Sequence, residues 1–568
     1  MKSEKIKFSW FAFTIGLFVS GLLLILQPLF ADGPALNADA GQAGGWAMFY
    51  RYGGIGVSIL WMSVLMCPKK VVRVLPDVAS LMSMGCVVWE AVVALEQLYG
   101  DGISNHALYR FTGTFLNPGP FCGFVAMGVP LAVHYLVKSD KLQATSEKRH
   151  PDGKLVARGL SLVALLTLIL CLLLLPAGMS RSAWMAATTG GAAVYGMHWR
   201  SKIKNWSSRL FRSRKRLMMA GVALLTLVAI GWGTFQLKED SANGRLLMWK
   251  ISCQAIAERP WTGGGSEGFP AAYAEAQERY FAAGKGSIEE IYVAGTPEHA
   301  FNEYLTMAVR YGWGGLAFLL AVGIVAVVCA THLRAYGIAG ALLTVAVFAF
   351  SSYPLQLPDF LSAVVMLVTV SVCSYLKHNS CGLRGLWIIS VPFCLYVSLK
   401  GLQQSDVWQA RHEAAKEWRM VRTLYHMEAY ATACEDYAPL YERMRWNHNF
   451  LFEYGRALHQ SGQYEASNRI MEEAERLCGD PMILNIQGKN YQALGKFNRA
   501  ALLYRRAYDR LPNRIYPLYL AMEMYASSDC RQKEMAKELA QRIISTKEKI
   551  PSQAVEEMKK RARELLSD

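Results

Sequence analysis

The sequence predicts an all-α chain: a polytopic helical membrane domain over residues 1–403, with about eleven spans, followed by an α-solenoid over residues 404–568. Three observations predict it. Long apolar runs recur through residues 8–403 and then stop. Lys and Arg gather in alternate loops between those runs. A pattern of small and aromatic residues returns after 33 positions between residues 451 and 512.

The spans follow from length. A bilayer core of ~30 Å takes about 20 apolar residues per helix. Runs of that kind lie near 8–30, 46–66, 75–98, 113–137, 155–175, 181–198, 217–237, 313–331, 337–356, 360–376 and 384–402. The first follows a basic start, as a secretory leader would, but its apolar run is too long for one and is expected to remain as an anchor.

The formal net charge is +16. Nucleic acid is excluded as the explanation because the charge follows topology. With Met1 inside, the inside loops are 2–7, 67–73, 138–158, 200–216, 332–336 and 377–384, and they hold 23 Lys and Arg against four acidic residues. Cytoplasmic loops carry such an excess, and it sets orientation. An odd number of spans then places 404–568 outside, together with the one long loop, 238–312. The cysteines show no CxxC and no metal-like spacing, and most lie in or beside apolar runs, where Cys is a small hydrophobe. No metal site is expected.

Residues 451–512 hold two copies of one pattern. The second, LNIQGKNYQALGKFNRAALLYRRAYDRLP, sets out Gly488, Tyr491, Gly495, Phe497, Ala500, Tyr504, Ala507 and Pro512 at tetratricopeptide intervals. The first repeats it with Gly455, Leu458, Gly462, Tyr464 and Ala474. Small residues let paired helices approach, and aromatics fill between neighbours. Helices at 407–445 and 515–566 are expected to continue or cap the stack. Such a domain either stiffens the outer face or offers a docking groove to an acceptor or a protein partner.

Three further stretches carry candidate chemistry. In GTFLNPGPFCGFVAMGVPLAV, Asn117-Pro118-Gly119-Pro120 is a turn cluster leading straight into a span. In LPAGMSRSAWMAATTGG, Ser180 is placed to cap the sixth span, with Arg181 in its first turn and Ala183, Ala187 and Gly191 spaced for tight helix packing. Taken alone, Arg181 would be expected to snorkel to the interface. The long loop supplies the third. Arg245 opens an amphipathic helix that stops at Pro260 and Gly263-Gly264-Gly265, a turn able to cradle phosphate or to serve as a plain loop. Thr296-Pro297 reads as a helix start. That start puts His299 in the first turn, with Glu303, Thr306 and Arg310 on the same face. A polar stripe there faces an aqueous cleft, and a helix N-terminus favours a neutral imidazole able to act as a base. The plainer alternative has His299 only capping its helix.

In their order, the stretches GTFLNPGPF, SRSAW, GRLLMW…ERPWTGGGSEGF and HAFNEYL…YGWGG resemble the O-antigen ligase family. The resemblance covers roughly the first 400 residues and leaves out the repeats. It implies a bacterial inner-membrane enzyme with a periplasmic C-terminal domain. Such an enzyme moves a glycan from an undecaprenyl-diphosphate carrier to lipid A core, a protein hydroxyl or a growing glycan, with no cofactor or metal. Arg181 and Arg245 match the family's diphosphate-binding arginines, where a planar, permanently charged fork suits phosphate. His299 matches the histidine that activates or orients the acceptor hydroxyl. Asn117, Asn302, Glu303 and Arg310 are supporting residues. One departure stands out: the commoner family pattern has Asn directly after His, whereas Ala300 and Phe301 intervene here before Asn302. From a different class, a glycan-lipid transporter would need ionisable residues along a path through several spans. Glu90 and Glu96 in the third span are the main candidates for that. A repeat scaffold with only a membrane anchor would not need Arg181, Arg245 and His299 together.

Overall fold

The computed structural model describes residues 2–30, 38–145, 151–199, 239–265, 268–379, 383–546, 549 and 552–567. Among them every regular element is helical. The expected seventh span, 217–237, and the basic loop 200–216 lie outside the described residues. Five described helices are long and apolar enough to cross a membrane by length and composition: Lys69–Tyr99, Pro118–Lys138, Arg158–Ala177, Glu303–His332 and Pro358–Asn379. Ala12–Ile25 and Tyr336–Ala349 are apolar but shorter.

Two compact units divide the chain. One comprises residues 1–225 and 317–413, the other 226–316 and 414–568. The long loop therefore belongs to the same compact unit as the repeats.

In the first unit, backbones approach where side chains are small. A Cβ on Gly21 would lie 2.9 Å from the Leu60 amide nitrogen, and one on Gly56 would lie 2.8 Å from the Gly21 carbonyl. Glycine at both positions thus seats the first helix, Lys2–Ile25, on Gly54–Met66. Arg181–His198 lies likewise against Tyr336–Ala349. Ala183 and Ala187 are buried as their spacing predicts, but the closest approach is one residue along, at Gly190, against the Gly340 carbonyl. The span read from 113 starts as a helix only at Pro118, and residues 100–117 form a folded loop before it.

Polar side chains of Leu75–Tyr99 pin that loop. The Glu90 carboxylate accepts from the Thr114 amide (3.1 Å) and hydroxyl (2.7 Å). Gln97 accepts from the Thr112 and Gly113 amides, at 2.8 and 2.9 Å, and donates to the Gly113 carbonyl. Glu90, a candidate for lining a transport path, is thus engaged in shaping the loop that precedes Asn117.

In the second unit the loop forms the helices Glu239–Glu258, Phe269–Ala282 and Ile288–Val293. Their apolar faces share one core with Ala300, Ala308, Val309 and Leu511. Beyond residue 414 come helix pairs, His448–Gln460 with Tyr464–Leu477 and Pro481–Ala493 with Phe497–Arg510. The two repeated glycines Gly462 and Gly495 occupy the left-handed region in the turn of each pair (φ 76° and 71°), so the sequence repeat is also a conformational one.

A buried ionic cluster ties the loop to these pairs. Arg510, 2% exposed, donates to Glu278 (2.9 Å) and Glu475 (2.6 Å). Arg506 reaches the same two carboxylates, at 2.7 and 2.9 Å. The Asn513 amide donates to the carbonyls of Ile291 (3.0 Å) and Ala294 (3.0 Å), where the chain leaves its last short helix towards His299.

Candidate active site around His299

Five of the seven residues given a chemical or supporting role from the sequence lie in the second unit: Arg245, His299, Asn302, Glu303 and Arg310. Arg181 and Asn117 belong to the first unit.

The local geometry corrects one expectation. The helix does not start at Thr296-Pro297. It starts at Glu303, with Asn302 as its cap: the Asn302 side-chain oxygen accepts from the Leu305 amide at 3.1 Å. Before it, Phe301 takes a left-handed conformation (φ 48°), which reverses the chain. That reversal folds Ala300 back so that its amide meets the Thr306 hydroxyl at 3.4 Å, while the same hydroxyl donates to the Asn302 carbonyl at 3.0 Å. His299 thus sits in an irregular bend rather than in a first turn. The expected stripe is broken as well, because Glu303 is 0% exposed and Thr306 is buried, so neither faces an open cleft.

Helix Glu239–Glu258 supports the bend from the other side. The Trp249 indole N–H donates to the Ala300 carbonyl at 3.1 Å, and the Arg245 guanidinium lies over the Phe301 ring, 5.4 Å from its centroid. Arg245 and Trp249 are four residues apart and share a helix face. Ala300 and Phe301, the two residues that separate His299 from Asn302, are therefore the ones this helix grips. Trp249 and Phe301 were given no role from the sequence. The signal lay in the i,i+4 spacing of Arg245 and Trp249, but nothing in the sequence says what that face meets.

His299 is held neutral, though not by a helix dipole. Its removal from water pushes its pKa down, and the positive charge of Arg310 pushes it further, to about 4. Arg310 is thus electrostatically coupled to His299, which the spacing of a continuous helix would have ruled out. The chain reversal accounts for the difference.

The glycine turn has a structural use. Gly312 interrupts the helix (φ 67°, ψ −169°), freeing carbonyls at the break. The Gly264 amide donates to Val309 (2.7 Å), the Gly265 amide donates to Arg310 (2.8 Å), and the Trp313 amide donates to Pro260 (2.8 Å). The amides of Gly264 and Gly265 are occupied by these carbonyls, so this turn is not the phosphate cradle that its composition allows.

In the first unit, Arg181 is the first residue of Arg181–His198, with Ser180 at the cap position as expected. The Ser180 hydroxyl makes no cap bond and instead meets the Ser182 hydroxyl at 3.3 Å. Asn117 holds the cap position of Pro118–Ala126, and its amide donates to the Tyr353 hydroxyl at 3.2 Å.

Residues 166–320 match the family model described as O-antigen ligase. That match covers 155 of the 568 residues, so this segment is similar to the O-antigen ligase domain. Arg181, Arg245 and His299 all fall inside the matched segment, whereas Asn117 and the helix pairs after residue 414 lie outside it. No curated protein matches the chain. The O-antigen ligase family comprises membrane ligases and polymerases acting on glycans, and the apolar helices agree with a membrane location.

Proposed function

We propose that the protein transfers a glycan from an undecaprenyl-diphosphate carrier to an acceptor hydroxyl at the periplasmic face of the inner membrane, with His299, Arg245 and Arg181 as its working residues. The observation that carries this reading is the bend at 299–301. It holds a neutral His299 next to a guanidinium-capped Phe301, inside the segment that matches the O-antigen ligase family.

The reaction is a displacement at the anomeric carbon. The acceptor oxygen forms a bond to that carbon, and its proton passes to a His299 ring nitrogen. The bond from the anomeric carbon to the phosphate oxygen breaks, and its electron pair leaves with the diphosphate. Arg245 and Arg181 supply fixed positive charge where that negative charge develops. A neutral imidazole suits the base role because its free ring nitrogen is able to accept a hydroxyl proton.

The segment 404–568 reads as a periplasmic tetratricopeptide-repeat domain that recruits the acceptor or a protein partner. Lipid A core, a protein hydroxyl and a growing glycan all fit the chemistry. The test of the core reading is transfer from carrier-linked glycan by the full-length protein in native membranes. His299→Ala and Arg245→Ala should accumulate loaded carrier at normal protein levels. Parental transfer rates in both variants would sink the proposal.

A further inference from the structure

We infer that a cavity in the second unit, walled by the helix Phe269–Ala282, the segment Gly295–Glu298 and the turn Cys478–Asp480, binds one uncharged sugar ring of the acceptor. The inference rests on the transferase reading and adds a substrate subsite to it.

The cavity measures about 150 Å³, comparable to one that admits a six-membered ring. Two of its lining residues, Tyr273 and Gln277, are each 1% exposed. Among the described residues the Tyr273 hydroxyl and the Gln277 side-chain oxygen find no hydrogen-bond partner. Buried polar atoms without partners are costly and rare. The Gln277 orientation is not arbitrary: its nitrogen donates to the carbonyls of Gly295 (3.1 Å) and Arg510 (2.6 Å), which leaves the oxygen as the open acceptor.

The rest of the lining narrows the ligand. Glu298 and Asp480 contribute carboxylates, and His448 a ring nitrogen. One oxygen of Asp480 accepts from the Met482 amide at 2.8 Å. A wall rich in acceptors and carrying negative charge suits a donor-rich neutral molecule and repels phosphate. A sugar ring, with hydroxyls on all sides, meets both conditions. Among the described residues no group of three or more His, Cys, Asp and Glu could hold a metal ion, so the lining is better matched to hydroxyls than to a cation.

The cavity is also built rigidly and placed well. Any side chain at Gly479 would collide with Ala274, so the repeat turn is seated directly on the helix. Arg506 and Arg510 clamp Glu278 to Glu475 beside it. Glu298 directly precedes His299, with α-carbons about 3.8 Å apart. The cavity wall therefore runs in the chain directly into the bend that carries the proposed base, His299.

The test uses full-length protein in lipid nanodiscs. Saturation-transfer NMR would read binding of the methyl glycosides of glucose, galactose, mannose, rhamnose and N-acetylglucosamine. At least one should bind, and Tyr273→Phe should weaken it about 3–10-fold, the effect of one lost hydrogen bond. The thermal midpoint of Tyr273→Phe should stay level or rise, because the deleted hydroxyl bonded to nothing. Glu298→Gln serves as a second variant outside the helical core. Glycoside binding that is absent, or indifferent to both substitutions in folded protein, overturns the proposal and leaves a water-filled cavity. Binding of a serine- or threonine-containing peptide that depends on Tyr273, in place of the glycosides, overturns the sugar assignment. Transfer assays separate this from the transferase reading. Tyr273→Phe should raise the acceptor KM at constant kcat, whereas no glycan transfer by the unsubstituted protein would defeat the transferase reading and leave glycoside binding as measured.

Discussion

Ser180-Arg181 and Thr296-Pro297 look alike in the sequence. Each pairs a hydroxyl residue with a helix-compatible successor, just ahead of a proposed working residue or at it. The first does open a helix, at Arg181. The second does not; the helix waits for Asn302. The difference lies in what holds the chain nearby. After Ser180 the run Arg181–His198 continues as one helix through Ser182, Thr188 and Thr189, whereas Thr296 is followed six residues later by a better cap, Asn302, and the chain between them is gripped by Trp249 and Arg245. A capping signal says where a helix is able to start. Tertiary contacts decide among the candidates.

The comparison can be broken most severely at His299. His299→Ala should slow transfer by about 10²–10⁴-fold, the range for one acid–base group, with donor binding nearly unchanged. Accumulated carrier-linked glycan in membranes would measure it. A parental rate would make the bend at Thr296–Phe301 merely architectural, like the start at Ser180.

Next in size is the clamp that leads into the bend. Arg510→Ala leaves Glu278 and Glu475 with less compensation in a buried setting, and should destabilise the second unit by roughly 3–5 kcal/mol. Chemical denaturation followed by an optical probe in the 414–568 segment would read it. Arg181→Ala should leave that transition where it was.

The two arginines should then separate under conservative exchange. Arg245→Lys keeps the charge but loses the planar contact over Phe301, and so should lower donor affinity by about 10-fold, as for a weakened charge-assisted hydrogen bond. A larger effect at Arg181 than at Arg245 would move the principal diphosphate contact to the first unit.

A smaller effect locates the cap itself. Asn302→Ala should cost about 1 kcal/mol of stability, whereas Thr296→Ala should cost almost nothing. The reverse order in thermal unfolding would restore the earlier helix start.

The smallest shift concerns pH. His299 is deprotonated, and so active as a base, above its depressed pKa of about 4. The acid limb of the transfer profile should therefore lie near pH 4. Removing the Arg310 charge raises the pKa of its neighbour, so Arg310→Gln should move that limb upward, towards the ordinary imidazole value. The same depression makes His299 a liability in acid. The unfolded chain takes up a proton below about 6.5 that the folded chain refuses, so stability falls between there and about 4. A limb that ignores Arg310 would return it to the remote position that a continuous helix implies.

Read alone, the sequence displays the all-helical class, the apolar helices, the small-residue stripe Ala183–Gly191 and the pairing of helices after residue 414. Each depends on local spacing, and spacing is what a sequence displays. It also picked out Arg245 and His299, because the motifs around them resemble a family. Only the tertiary structure decided what holds the bend between His299 and Asn302. Phe301 adopts a strained left-handed backbone because Trp249, Arg245 and Thr306, distant or non-adjacent in the chain, hold both sides of it. The Gly263-Gly264-Gly265 turn spends its amides on carbonyls opened by Gly312, some fifty residues away, and that too has no local signature. The same holds for the cavity beside Glu298, whose walls come from the loop and from the repeat turn Cys478–Asp480. Periodicity reports which face of a helix is apolar, whereas an irregular bend is fixed by the partners that long-range folding brings to it.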